Sequence, residues 1–272
     1  MSRIETTFQH LQTAGRTALI PYLTMGYPER DSALTLVAAI AAAGADLIEL
    51  GIPFSDPLAD GPTIQASSQK ALENGMTLRL CLEQAGTLRG QGVTVPFVLM
   101  GYYNPIYQFG IERFAAQAAA SGVDGVIIPD LPPEEAQAIL DAFKRQGLDL
   151  ILLLAPTSSA TRIRMVAELA HGFIYLVSLV GTTGARGQIA GDLAELVGRV
   201  RAETDKPLAV GFGISTPDQA ARVADLADGV IVGSALIEAI GAAEIPQDAA
   251  REFIAALRCG TDAGCRGHCV CV

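Results

Sequence analysis

Short runs of aliphatic and β-branched residues alternate along the chain with longer Ala-rich stretches of helical character. This alternation is typical of parallel βαβ units. Most runs are apolar at both their odd and their even positions. This is expected where one strand face lines a barrel interior and the other packs under helices. The eight runs are Ala18–Gly26, Asp46–Ile52, Val95–Asn104, Gly125–Asp130, Leu148–Ala155, Phe173–Ser178, Pro207–Gly213 and Gly229–Gly233. Eight units predict an α/β fold, a single (β/α)8 TIM barrel.

Helix signals agree with this arrangement. Thr216-Pro217-Asp218 and the segment from Asp130 to Glu135 each place a polar residue, Pro and acids at early helix positions. The residues before the first predicted strand indicate an extra N-terminal helix that covers the barrel floor. No linker-like stretch divides the chain, so we expect one barrel domain over residues 1–258.

The tail over residues 259–272 has a different composition. It is polar and Gly-rich, and it contains four of the five cysteines together with His268: Cys259, Cys265, Cys269 and Cys271. Thiolates and imidazole suit zinc, but the spacing lacks the paired CxxC of common structural sites. We interpret the tail as a loosely ordered extension, with a zinc site as the alternative.

Charge and hydropathy exclude several classes of function. The formal net charge of −10 repels nucleic-acid backbones and anionic lipid surfaces. No apolar run approaches the roughly 20 residues that span a bilayer, and the first ten residues lack the apolar centre of a signal peptide. These features favour a cytoplasmic protein that binds neither nucleic acid nor membrane.

Glu49 is the first candidate for chemistry. In the second predicted strand Ile48, Leu50 and Ile52 share the face that packs under helices, which directs Glu49 and Leu47 into the barrel. Burial there raises a carboxyl pKa toward the range useful for proton transfer near neutral pH. The alternative is a structural glutamate paired with an Arg or a backbone donor.

The segment after this strand, from Phe54 to Thr63, contains Asp56 and Asp60 among turn-forming Pro and Gly. Barrel enzymes place their chemistry where strands end and βα loops begin, so this is a candidate catalytic loop. Either acid could instead cap a helix or be a solvated charge.

Glycines mark the ends of the last two predicted strands, at Gly211-Phe212-Gly213 and Gly233-Ser234. Barrels often bind phosphate between these two loops, where glycine lets backbone N–H groups approach an anion. The pattern therefore indicates a phosphorylated substrate, although tight turns alone would also explain it. The Gly-rich segment from Ser178 to Gln188 is interpreted as a lid that closes over the ligand, the alternative being an ordinary connection.

From about Phe8 to Leu257 the chain resembles the family of tryptophan synthase alpha subunits. The resemblance rests on six motifs in the same order and spacing: IELGIPFSDPLADGPTIQ, LMGYYNPI, GVIIPDLP, YLVSLVGTTG, GFGIST and DGVIVGSALI. It implies a lyase of tryptophan biosynthesis that cleaves indole-3-glycerol phosphate to indole and glyceraldehyde 3-phosphate. It also implies a heterotetramer with a β subunit that carries pyridoxal phosphate, and no cofactor in this chain.

The resemblance further implies roles for individual residues. Glu49 and Asp60 are the expected catalytic acids, with Tyr175 beside them, and Thr183 steadies Asp60 when the lid closes. The expected phosphate-binding residues are Gly184, Gly213, Gly233 and Ser234. The expected substrate-binding residues are Tyr22, Ile64, Met100, Tyr102, Ile127, Leu153, Thr183 and Phe212. Tyr22 and Met100 stand where some relatives have Phe and Leu, and the tail has no counterpart in the family.

Rigid turns with apolar tips around the barrel mouth indicate where the β subunit docks. The expected contacts are Asp56, Pro57, Asn104 and Pro132, the alternative being that these prolines only shape turns.

Rival activities have less support. A Schiff-base aldolase needs a lysine inside the barrel, but the lysines fall on predicted helices or before a strand: Lys70, Lys144 and Lys206. A metal aldolase needs ligand clusters at strand ends, but the histidines precede strands or lie in the tail: His10, His171 and His268. A subunit that only binds phosphate ligands is disfavoured because both candidate acids are present.

Overall fold

The computed structural model describes residues 1–177, 186–211 and 213–263, apart from the side chains of 186–192 and 263. Eight parallel strands pair in chain order and close into a barrel, as the sequence predicts. The strands are β1 (Ala18–Thr24), β2 (Ile48–Gly51), β3 (Phe97–Met100), β4 (Gly125–Ile127), β5 (Asp149–Leu154), β6 (Ile174–Val177), β7 (Leu208–Gly211) and β8 (Gly229–Val232).

Helices follow the strands and form the outer layer. They are α1 (Arg3–Thr13), α2 (Ala33–Ala42), α3 (Pro62–Glu73), α4 (Leu78–Gly90), α5 (Tyr103–Phe109), α6 (Ile111–Ala120), α7 (Gln137–Gln146), α8 (Ala160–Leu169), α9 (Arg186–Arg201), α10 (Pro217–Ala224), α11 (Ser234–Ala242) and α12 (Pro246–Ala263), with a 3-10 turn at Pro133–Glu135. No helix in the described ranges is long and apolar enough to cross a membrane.

The predicted strands overlap the observed ones but extend too far at their carboxyl ends. The largest error is in the third run, which we expected to continue to Asn104, whereas β3 ends at Met100 and Asn104 lies in α5. The segment stays apolar and aromatic past the end of the ladder because Tyr102 is buried and Tyr103 packs against the core, although neither lies in a strand. Hydropathy therefore does not mark the strand end.

Of the two helix starts predicted from the sequence, at Thr216 and at Asp130, only the first is observed. Thr216 caps α10 in a capping box with Gln219, as predicted. The segment after β4 instead begins with the 3-10 turn. Asp130 accepts a hydrogen bond from the N–H of Tyr103 at 2.8 Å, so it holds the loop after β3.

Alternating side chains divide the core into two layers. The outer layer packs between strands and helices and includes Ile48, Leu50 and Ile52. The inner layer fills the barrel and includes Leu47, as the pattern in β2 predicts. Glu49 is two residues from Leu47, so its side chain is on the same, inward side of the strand.

Helix α1 closes the barrel floor, as expected. Its apolar face, made by Ile4, Phe8 and Leu11, joins the inner core layer. The Phe8 ring lies 5.6 Å from the ring of Phe173, and Ser2 caps the helix start. The floor is therefore sealed, and the barrel opens at the carboxyl ends of its strands.

Three aspartates at the floor link neighbouring strands, an arrangement that the sequence analysis did not predict. Asp46, Asp124 and Asp228 lie just before even-numbered strands, and each accepts an N–H from the start of the preceding strand. Each also pairs with an arginine, in order Arg258, Arg89 and Arg201. The side chains of the Arg89–Asp124 pair are 16% and 9% exposed, so this pair is held largely out of water.

Helix α12 extends beyond the expected domain end. Residues 259–263, which the sequence analysis assigned to the tail, continue the helix, and Thr261 is fully buried. Residues 264–272, with Cys265, His268, Cys269 and Cys271, lie outside the described residues. The prediction of a loosely ordered tail stays a prediction for that segment.

Candidate active site

Glu49 lies in the apolar interior near the barrel mouth. It is 1% exposed, and its Oε1 atom has no hydrogen-bond partner among the described residues. Burial raises the pKa of this carboxyl to about 8. The alternative of a structurally paired glutamate thus finds no support in the described part of the chain, and the side chain can both donate and accept a proton near neutral pH.

Asp60 reaches the same cavity from the loop after β2. The half-buried carboxyl has a pKa raised to about 6 by burial, against the opposing effect of a hydrogen bond from Tyr102. The hydroxyl of Tyr102 also accepts the N–H of Ala59 at 3.0 Å, and Gln65 donates to the Asp60 carbonyl at 2.9 Å. We expected Tyr102 only to contact substrate, but the structure shows that it also holds the catalytic loop.

The start of this loop is fixed by Ser68 of α3. Its hydroxyl accepts the N–H of Phe54 at 2.9 Å and lies 3.1 Å from the carbonyl of the same residue, to which it can donate. Between the two anchored ends, Leu58 is 93% exposed. The loop therefore combines a held Asp60 with a projecting apolar tip.

Two tyrosines lean across neighbouring strands toward the cavity. A Cβ atom on Gly51 would lie 2.7 Å from Cε2 of Tyr22, and one on Gly211 would lie 2.7 Å from Cε1 of Tyr175. Side chains never approach so closely, so each tyrosine position requires glycine on the next strand. Sequence reasoning missed this role of Gly51 and Gly211 because it depends on which strands are neighbours.

The tyrosine hydroxyls and the carboxyls lie close enough for the carboxyl charges to act on both phenols. Burial raises the pKa of Tyr175 well above its usual value, with smaller contributions from the negative charges of Glu49 and Asp60. The same two carboxyls raise the pKa of Tyr22, again after burial as the main cause. The structure thus brings together the residues that the sequence analysis named as catalytic.

Apolar side chains line the rest of this end of the barrel. Ile64, on the first turn of α3, and Ile127, at the end of β4, are buried. Met100 and Leu153 are partly buried and pack against the inner core layer. Ile64 belongs to the outer core layer, whereas Ile127, Met100 and Leu153 are on the inner side, so the four supply apolar side chains from both layers.

The ends of β7 and β8 have the geometry expected of an anion site. Gly213 has φ of +54°, a backbone conformation that other residues rarely adopt. Gly233 is the N-cap of α11, and Ser234 is the first, exposed residue of that helix. The first turn of a helix presents N–H groups without intrahelical partners, which favour a negative ligand.

Three predicted site residues lie outside the described residues: Thr183, Gly184 and Phe212. Most of the predicted lid, residues 178–185, lies there as well.

The expected partner contacts surround the mouth. Asp56 and Asn104 are exposed, and Pro57 and Pro132 are partly exposed. Leu58 adds an exposed apolar side chain that the sequence analysis did not single out.

Features at the barrel floor do not form a competing site. Lys206 donates to the carbonyls of Ala167 and Ala170 at 2.6 Å, so it caps α8 outside the barrel. A cleft of about 1370 Å³ lies between α1 and the starts of β7 and β8. Its lining arginines, Arg16 and Arg201, are both paired with aspartates, and the further acids Asp205 and Asp225 in the lining disfavour a phosphate.

Comparison with known proteins decides the family. The family model described as tryptophan synthase alpha chain matches residues 8–262. The chain belongs to the tryptophan synthase alpha chain family. It is 56% identical over 238 residues to the alpha chain of Chloroflexus aggregans, covering 88% of this chain and 89% of that protein. It is 54% identical over 260 residues to the alpha chain of a Roseiflexus species (strain RS-1), covering 95% and 100%.

Solved structures of tryptophan synthase alpha subunits have the same fold as this chain. The crystal structure of tryptophan synthase subunit alpha from Legionella pneumophila superposes with a TM-score of 0.89 at 38% identity, over 97% of this chain and 99% of that one. As a tryptophan synthase alpha chain, the protein is a lyase that cleaves indole-3-glycerol phosphate to indole for use by a β subunit. This confirms the predicted fold, family and reaction.

Proposed function

We propose that Glu49 and Asp60 share the proton transfers of this cleavage. Glu49 donates a proton to C3 of the indole and later accepts the proton of the side-chain hydroxyl. Asp60 accepts the indole N–H proton while positive charge develops on the ring. It returns this proton to the nitrogen as the bond from C3 breaks. Glu49 is thus unchanged over one turnover, the hydroxyl carbon becomes an aldehyde and C3 keeps the new hydrogen.

The observation that carries this assignment is the burial of Glu49, whose Oε1 atom has no hydrogen-bond partner among the described residues. A carboxyl with a pKa of about 8 can start the reaction protonated at neutral pH. Asp60, with a pKa of about 6, stays largely ionised under the same conditions and can attract the N–H proton. Two carboxyls in different environments therefore divide the acid and base roles. Each contributes about 10²–10⁴ in rate, or roughly 3–5 kcal/mol.

The remaining residues orient the substrate. The apolar side chains of Ile64, Met100, Ile127 and Leu153 contact the indole ring, with Tyr175 beside the reacting carbon. The phosphate lies at the opposite end, against the N–H groups around Gly213 and Ser234, and Gly184 of the lid completes this site. Anchoring both ends places the C3 bond between the two carboxyls.

The experiment is indole release from indole-3-glycerol phosphate by Glu49→Gln and Asp60→Asn. Both substitutions keep shape and remove the ionisable group, so we expect folded proteins whose turnover falls at least a hundredfold. Circular dichroism checks the fold. Near-normal turnover in either variant would refute that residue's role.

We further propose that the mouth docks on a β subunit that carries pyridoxal phosphate and receives the indole directly. Indole is apolar and would otherwise leak away, so a mouth closed by the consuming subunit retains it. Leu58 supports this proposal, because its side chain is 93% exposed at the tip of the catalytic loop and offers a partner an apolar contact there. Docking at Asp56, Pro57 and Leu58 would also hold the loop that carries Asp60.

Titration of a β subunit into the chain tests this proposal, with the cleavage rate as readout. We expect the rate to rise on association, and Leu58→Asp to weaken that association at least tenfold. Ile245→Asp is the matched control, since Ile245 is 60% exposed but lies past the end of α11, away from the mouth. Equal weakening by both variants, or no rise in rate, would refute the docking surface.

A further inference from the structure

Three buried hydroxyls connect the cavity to α3. The phenol oxygen of Tyr22 lies 3.3 Å from Oγ1 of Thr24, which lies 2.7 Å from Oγ of Ser67. Ser67 in turn lies 2.9 Å from the carbonyl of Ile64, to which it can donate. Tyr22, Thr24 and Ser67 are 8%, 0% and 1% exposed, so bulk water does not replace these bonds.

The proton count allows two hydrogen-bond orders on the same heavy-atom positions, because each hydroxyl has one proton. In the first, Ser67 donates to Ile64, Thr24 donates to Ser67, and the phenol must donate to Thr24. In the second, Ser67 donates to Thr24 and Thr24 donates to the phenol, which leaves the phenol proton free for the cavity. The carbonyl of Ile64 keeps its main-chain helix donor in either order.

The phenol end of this hydroxyl chain lies on the mouth side of Glu49. Tyr22 pairs with Glu49 in the register of β1 and β2, and its ring reaches over Gly51. Gly51 shares the inward face of Glu49, one step closer to the mouth. The phenol therefore lies on the mouth side of a buried carboxyl whose Oε1 has no partner among the described residues, and the charge of Asp60 acts on the phenol more strongly than that of Glu49. Tyr175 also faces both carboxyls.

We propose that Ser67 and Thr24 make Tyr22 a reversible hydrogen-bond partner of Glu49, so that Tyr22 is a positioning residue of the reaction. The phenol donates to Glu49 when the carboxyl is ionised and accepts from it when the carboxyl is protonated, directly or through one bridging water. No bond forms or breaks along the chain, since the three hydroxyls only rotate. This inference rests on the proposed role of Glu49.

A phenol of this kind changes the acidity of Glu49. Hydrogen bonds to a charged group are about twice as strong as those between neutral groups, so the phenol favours the ionised carboxyl on balance. Tyr22→Phe should therefore raise the pKa of Glu49 by roughly half a unit and lower kcat about tenfold.

The first experiment is the pH profile of kcat for indole release, in the wild type and in Tyr22→Phe. We expect the limb that Glu49 controls to move to higher pH in the variant. Tyr27→Phe is the control, because Tyr27 packs its hydroxyl against Gly241, away from the cavity. A lower kcat with an unmoved limb would mean that Tyr22 is only a packing residue and would overturn the proposal.

The second experiment is a double-mutant cycle. Thr24→Val keeps the shape of Thr24 but breaks the chain, so it should lower kcat about threefold when Tyr22 is present and have no further effect in Tyr22→Phe. Thr24→Ser restores a hydroxyl and should restore the rate. Additive losses, or no rescue by serine, would show that Thr24 acts independently of the phenol and would refute the chain.

Glu49→Gln distinguishes a failure of the proposed role of Glu49 from a failure of the hydroxyl chain. Full activity of this variant would refute both the proposed role of Glu49 and this inference. An inactive Glu49→Gln variant combined with an unmoved limb in Tyr22→Phe would refute the hydroxyl chain alone.

Discussion

The buried Glu49 carboxyl should destabilise the folded chain at neutral pH, and Glu49→Gln should remove this effect. Its pKa rises from 4.5 in the ordinary state to about 8 in the folded protein. Between these values the folded chain keeps a proton that the unfolded chain has lost. The free energy of unfolding therefore falls as pH rises through this window, by about 1.4 kcal/mol per unit.

The full window corresponds to roughly 5 kcal/mol, which is an upper bound because the cavity relaxes around the ionised group. We expect the wild type and Glu49→Gln to be similarly stable near pH 4.5. The variant should become more stable by about 3–5 kcal/mol near pH 8.5. The same substitution that removes activity thus stabilises the fold, as expected where a functional group is held in an unfavourable environment.

The assay is urea denaturation followed by circular dichroism, in half-unit steps from pH 4.5 to pH 9. Other titrating groups affect both proteins equally, so the difference between the two curves isolates Glu49. A difference that stays constant across this range would show that Glu49 has the same pKa in the folded and the unfolded chain, and would refute the reasoning.

Three further predictions concern glycine, phosphate and the floor. Gly211→Ala should lower turnover at least tenfold, because its Cβ would lie 2.7 Å from the Tyr175 ring, and unchanged kinetics would contradict that contact. Gly213→Val should weaken binding of indole-3-glycerol phosphate but spare free indole in equilibrium binding, because φ of +54° disfavours other residues; equal loss of both ligands would indicate a disturbed pocket instead. Asp124→Asn should cost roughly 3 kcal/mol in urea denaturation, because it leaves the Arg89 charge without its buried partner. Glu112→Gln, which removes an exposed ion pair, should cost under about 1 kcal/mol, and similar losses in both variants would contradict this view of the floor.

The sequence predicts much of this site because strand alternation is a local property. The pattern of Ile48, Leu50 and Ile52 sufficed to direct Glu49 inward, and the structure confirms the division of β2 between two core layers. Strand ends were harder to predict, since apolar residues of the mouth continue the hydropathy of β3 into α5.

Contacts between elements that are distant in the sequence could not be predicted in this way. The requirement for glycine at Gly51 follows from a tyrosine on the neighbouring strand, and Tyr102 holds Ala59 from 43 residues away. The carboxylate links at the floor also depend on strand order. Thr183 and Gly184 remain predictions, because they lie outside the described residues.

The central claim is that Glu49 is held protonated at neutral pH in the barrel mouth, and its carboxyl can be titrated directly. The measurement is ¹³C NMR of side-chain carboxyl carbons in glutamate-labelled protein, with the Glu49 signal assigned by its loss in Glu49→Gln. We predict a single carboxyl that titrates near pH 8, well above the ordinary glutamate value of 4.5. A Glu49 signal that titrates between about pH 4 and 5, as in an exposed glutamate, would contradict the account.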